Sequence, residues 1–118
     1  MVFEASVSST TAIAIVSIVG DLDLSTLVRF RSEILQAIDQ SGPSLIIDMS
    51  SVDIFEPVAL GVVFEAVKRS ASREGSVVLV QPNDRILSDL RAMGVDRILE
   101  IASTTSEALK RLRPGSDR

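Results

Sequence analysis

The sequence contains no cysteine, histidine, tryptophan or tyrosine. Without cysteine there is no disulfide, no thiolate nucleophile and no thiolate metal site. Without histidine the commonest general base and metal ligand is gone. Asp, Glu, Lys and Ser remain, but no catalytic constellation stands out, so no enzyme, metal site or cofactor is expected. Phenylalanine is the only aromatic residue, which argues against a platform for stacking bases. Positive charge is also short. The net charge is −4 and the isoelectric point about 4.7, so nucleic acid is not an expected partner. Lys110, Arg111, Arg113 and Arg118 suit a helix end and its tail. No apolar run approaches the roughly 18 residues of a membrane span. The opening MVFEASVSS lacks the basic and apolar regions of a signal peptide. The expectation is a cytoplasmic protein without direct membrane insertion.

What is present fits one ordinary domain. The 118 residues suffice to bury roughly two-thirds of the unfolded surface. AIAIVSIV, Ala12 to Val19, predicts a central strand buried on both faces. Glu4 to Ser8 predicts a strand beside it, with Ser9-Thr10-Thr11 turning between them. Gly20 then ends the strand, and Asp23 or Ser25 can cap a helix whose apolar stripe is Leu27, Phe30, Ile34 and Ile38. Ser41-Gly42-Pro43 stops that helix. LIIDM, Leu45 to Met49, predicts a short buried strand carrying one acid, Asp48. A second helical stripe follows at Leu60, Phe64, Val67 and Ala71, ending at Glu74-Gly75. VVLV, Val77 to Val80, predicts a buried parallel strand. Asn83 can cap a third helix with Ile86, Leu87, Leu90 and Met93, and Gly94 suits its C′ position. Ile98 to Ile101 predicts a last edge strand. Thr104 to Glu107, TTSE, matches a capping box for a terminal helix with Leu109 and Leu112. The order β-β-α-β-α-β-α-β-α implies an α/β fold: a mostly parallel sheet of four to five strands with four helices packed on it. Residues 1–113 form a single expected domain and 114–118 a polar tail.

Several stretches together, GDLDLST, LIIDMSSV, ALGVV and VVLVQPNDRILSDLRAMGVDRILEI, resemble the STAS domain of bacterial anti-sigma factor antagonists. The resemblance runs from about residue 5 to residue 112, nearly the whole chain, and rests on the ordered set rather than on any one motif. It implies a STAS-like fold and a partner. In that family the turn before the second long helix reads D-S-S-G-L-G, and its first serine is phosphorylated by an anti-sigma factor that is also a kinase. The unphosphorylated antagonist binds that factor, and phosphorylation breaks the complex. Anchored on Leu60-Gly61, Glu56 falls at the Asp, Pro57 at the phosphorylated Ser, Val58 at the second Ser and Ala59 at the Gly. Pro57 has no hydroxyl, so the position is not phosphorylatable.

FEPVALG also has a purely local explanation. Proline is favoured at the first helical position, Glu56 before it is pushed to extended backbone, and its carboxylate can meet the first-turn N–H groups. Ser25, Thr26, Ser50 and Ser51 are other hydroxyls near strand-to-helix ends, each expected as a cap or turn residue. Asp21, Asp23, Asp48, Asp53 and Glu56 are expected at one end of the sheet, as an acidic rim facing a basic partner in preference to a cation site.

The expected function is therefore that of an anti-sigma factor antagonist-like protein. It binds an anti-sigma factor of the GHKL serine-kinase type and is not switched at Pro57. The expected binding surface is Asp21, Asp23, Ser25, Phe55, Glu56, Pro57 and Val58, with Phe55 and Val58 as apolar anchors. A monomer or weak dimer is expected. The alternative is a STAS-type regulatory or scaffold subunit, for instance of an ABC-type lipid transporter.

Overall fold

The computed structural model of the chain describes residues 3–10 and 12–112. Its elements are β1 (Glu4–Thr10), β2 (Ile13–Val19), α1 (Leu27–Ser41), β3 (Ser44–Ser51), α2 (Pro57–Ala71), β4 (Val77–Val80), α3 (Asp84–Ala92), β5 (Glu100–Ala102) and α4 (Thr105–Leu112). A short 3-10 turn, Val95–Arg97, precedes β5. The strands form one sheet in the order β1-β2-β3-β4-β5. β1 is antiparallel to β2, and every other neighbouring pair is parallel. A parallel step needs a crossover, and α1, α2 and α3 supply the three crossovers.

β3 is central and apolar on both faces, which is why its sequence shows a run rather than an alternation. Leu45, Ile47 and Met49 belong to the larger core cluster, with Ala14, Val16, Ile18, Leu79 and the inner sides of α1, α2 and α3. Ile46 belongs to the smaller one, with Ile13, Val78, Val80, Ala102 and Ala108 of α4. β2 departs from the expectation of burial on both faces, because Ile15 and Ser17 are only half-buried. α4 packs over β3, β4 and β5, and leaves the outer face of β2 partly open.

The ends of the elements follow local chemistry. The Asn83 side chain accepts from the Ile86 N–H at 2.8 Å, and Gly94 takes φ 74° at the end of α3, a left-handed value that glycine adopts freely. Thr104 Oγ1 accepts from the Glu107 N–H, while Glu107 Oε1 accepts from the Ser103 N–H, both at 3.0 Å.

Four expectations need correction. Ser9 and Thr10 continue β1, pairing with Ala14 and Ile13; Thr11 and the RPGSDR tail, with Arg113 and Arg118, lie outside the described residues. The buried face of α2 is Ala59, Leu60, Val62, Val63, Ala66 and Ser70. Phe64 and Val67 are half-buried and Ala71 is exposed, because small side chains rather than large ones let this helix lie close to the sheet. Met93 is exposed, as is Ile98. The last strand begins at Glu100, after the 3-10 turn has used Val95–Arg97.

Candidate functional site

Two loops meet at the carboxyl end of β2 and β3. The Leu22 N–H donates to Ile54 O and the Glu56 N–H donates to Leu22 O, both at 2.8 Å. Leu22 and Phe55 thus form an isolated parallel bridge. It resumes the β2–β3 pairing beyond the irregularity at Ser17 and Val19, and stitches the GDLDLS loop to the FEPV turn. Leu22 anchors the bridge in the core. From the other side, Asn83 Nδ2 donates to Val52 O at 3.2 Å and to Asp53 O at 3.1 Å. The turn before α2 is therefore held by backbone on one flank and by a side-chain amide on the other.

The GDLDLS loop is organised around Asp23 and Thr26. Asp23 Oδ1 accepts from the Ser25 N–H at 2.9 Å, the Ser25 hydroxyl at 2.6 Å and the Thr26 N–H at 3.2 Å. The Ser25 hydroxyl foremost, and these N–H groups with it, hold the Asp23 carboxyl below its ordinary pKa, since they favour the charged form. The Thr26 hydroxyl donates to Asp21 O at 2.8 Å and accepts from the Asp23 N–H at 3.1 Å. Thr26 is the residue that precedes α1, and its side chain makes no cap bond. The cap expected of Asp23 or Ser25 is thus displaced: Asp23 closes the turn that leads into Thr26, ahead of the helix.

The second loop presents its side chains differently. Pro57 is the first residue of α2, and Glu56 before it is extended at φ −79°, ψ 153°. Its carboxylate makes no cap bond, contrary to expectation; Glu is longer than the Asp, Asn or Ser that fit this role. Its carbonyl accepts from the Ala59 N–H at 2.9 Å instead. Glu56 and Pro57 are exposed, and Phe55 is half-buried against the main core.

Of the residues expected at the surface, Ser25, Glu56, Pro57 and Val58 are exposed, Val58 by 39%, while Asp23 and Phe55 are half-covered. Asp21 differs: it is only 8% exposed, so it shapes the loop through its carbonyl more than it offers a carboxylate. Among the other hydroxyls weighed, Thr26 is buried while Ser50 and Ser51 are exposed. Asp48 Oδ1 accepts from the Ser50 N–H at 3.0 Å. Among the described residues, no three carboxylates gather closely enough to hold a metal ion, and no helix is long and apolar enough to cross a membrane.

Sequence reasoning missed three exposed apolar side chains in and beside these loops. Leu24 is 73% and Val28 80% exposed, and Ile54 is exposed as well. A signal existed: Leu24 and Val28 lie off the Leu27, Phe30, Ile34, Ile38 stripe, so no core position accounts for them.

Comparisons with known proteins give the family and the fold. A family model for the STAS domain matches residues 4–108. A candidate anti-sigma factor antagonist of Thermotoga maritima is 36% identical over 66 residues, 56% of this chain. The chain spans only 61% and 56% of the length of the two curated Thermotoga relatives it matches. The crystal structure of a candidate anti-sigma factor antagonist from Thermotoga maritima has a TM-score of 0.85 at 23% identity, covering 92% of this chain and 94% of that one. An anti-sigma factor antagonist from Mycobacterium paratuberculosis has a TM-score of 0.85 at 21% identity, covering 95% of each chain.

Proposed function

The chain belongs to the STAS domain family, and from that premise we propose that it binds an anti-sigma factor of the GHKL serine-kinase type and so releases a sigma factor for transcription. It acts in the cytoplasm as a monomer or weak dimer, with residues 1–113 as one domain, and by binding rather than by catalysis. The observation that carries this reading is the Leu22–Phe55 bridge. It joins the loop that carries Asp23 and Ser25 to the turn that carries Glu56, Pro57 and Val58.

Pro57 gives the proposal its particular form. A phosphate adds about −1.5 to −2 charges to an interface and disrupts it by repulsion and desolvation. Pro57 has no side-chain hydroxyl to carry one. The antagonist is therefore not switched at this position.

The test is to capture the partner from the native cell extract, identify it, and incubate the complex with ATP and magnesium. Wild type is expected to hold an ATP-binding anti-sigma factor, survive ATP and gain no phosphate. Pro57→Ser, which restores a hydroxyl at the start of α2, is expected to gain phosphate there and dissociate. Release of wild type with phosphate on another Ser or Thr contradicts the switchless reading. Recovery of transporter subunits instead assigns the domain to a scaffold role.

A further inference from the structure

Charge is used unevenly on this molecule. Along the outer seam of α1 and α2, acids and bases neutralise one another: Arg31 with Glu65 at 2.6 Å, Arg69 with Asp39 at 2.7 Å, and Arg73 with Asp39 at 4.0 Å. Between the start of α2 and α3, three acids have no such partners among the described residues. Among the described residues, Asp53, Glu56 and Asp89 enter none of the ion pairs, and all three are exposed.

These acids stand around two adjoining grooves between the start of α2 and α3. The first has a volume of about 260 Å³ and is walled by Phe55, Pro57, Ile86, Leu90 and Met93. Ile86 and Leu90 are buried and form its floor, while Pro57 and Met93 are exposed at its rim. The second, about 290 Å³, shares Phe55, Pro57 and Ile86 and adds Asp53, Glu56 and Arg85. Asp89 borders both. Each is below the roughly 300–1,000 Å³ usual for a small-molecule site. Three acids against one base give the rim a net negative charge.

We infer that this groove is the socket for one large apolar side chain carried on a lysine- or arginine-bearing segment of the protein partner. The apolar floor favours a desolvated anchor of the kind that dominates interfaces, and the unneutralised rim selects basic flanks. The inference deepens the antagonist reading, and rests on it only in taking that partner to be the anti-sigma factor.

Amide NMR titration of the isotope-labelled protein tests it with three probes. These are a short amphipathic Leu/Lys peptide, its Leu→Gln counterpart and its Lys→Glu counterpart. The Leu/Lys peptide is expected to give saturable shifts at Phe55, Ile86, Leu90 and Met93. Binding is expected to weaken by about tenfold or more for the Leu→Gln and Lys→Glu peptides, and for the Asp89→Lys and Met93→Glu proteins. Both substitutions lie at exposed positions, and circular dichroism checks that the variants are folded. Shifts scattered over the surface, or equal binding of the Lys→Glu peptide, overturn the socket. If the captured anti-sigma factor binds wild type, Asp89→Lys and Met93→Glu alike, the socket is wrong and the antagonist reading stands. If the peptides bind as expected and no anti-sigma factor binds wild type, the socket stands and the antagonist reading fails.

Discussion

Asp23 and Asn83 do at the residue scale what the two loops need in order to meet. Removing the Ser25 hydroxyl takes away the strongest influence on the Asp23 carboxyl, so Ser25→Ala is expected to raise its pKa toward the ordinary aspartate value. A carboxyl-carbon NMR titration of wild type and variant measures this directly. Because the folded pKa is depressed, the loop's contribution to stability is complete above the ordinary value of about 4. It is lost as the pH falls through Asp23's own lower value. Asn83→Ala removes a helix cap and two hydrogen bonds to the turn before α2. A loss of about 2–3 kcal/mol is expected, read as a lower urea midpoint at unchanged slope. The cap was legible in the sequence because Asn immediately before an apolar helical period is a local signal. The two bonds to Val52 and Asp53 were not, because they join residues about thirty positions apart that only the sheet brings together.

Elements were legible where one physical rule dominated. LIIDM and VVLV are buried by helices on both sides, so composition alone marked them as inner strands. α2 was legible as a helix but not in its orientation. Its fully buried residues include Ala59, Ala66 and Ser70, small side chains that a pattern of large apolar residues does not pick out. The same close packing recurs at its end. A Cβ on Gly75 would lie 2.7 Å from both the Pro43 backbone and Ser70 Oγ, and Ser70 Oγ itself donates to Pro43 O at 2.7 Å. Gly75→Ala is therefore expected to cost about 1–3 kcal/mol. Gly61 is the counter-case: a Cβ there meets nothing within 4 Å. Gly61→Ala is expected to stabilise the domain by about 0.5–1 kcal/mol through helix propensity. Denaturant unfolding of the two variants beside wild type gives shifts of opposite sign if this account of α2 is right.

For the molecule as a whole, the sheet order places the starts of α1 and α2 side by side at one end, and the ion pairs stitch these helices together further along. Arg31 both donates to Glu65 and holds its carboxyl below the ordinary range, but the pair is exposed, and solvent screening leaves such pairs little effect on stability. The paired charges therefore say little about stability, whereas Asp53 and Glu56 before α2 and Asp89 on α3 enter none of the ion pairs among the described residues. The family was legible from the ordered strand-and-loop motifs. The exposed apolar residues Leu24, Val28 and Ile54 were not, since exposure is decided by how each element lies on the sheet.

The central claim is that the joined GDLDLS and FEPV loops bind the anti-sigma factor. The most direct measurement is the calorimetric affinity of the captured factor for wild type, for Glu56→Lys, and for Glu56→Lys combined with Asp23→Lys. Glu56 is the cleaner probe because its side chain makes no cap bond. With folding of each variant verified by circular dichroism, the account predicts at least about tenfold weaker binding for Glu56→Lys, and more for the pair. Unchanged affinity in a folded double variant contradicts it.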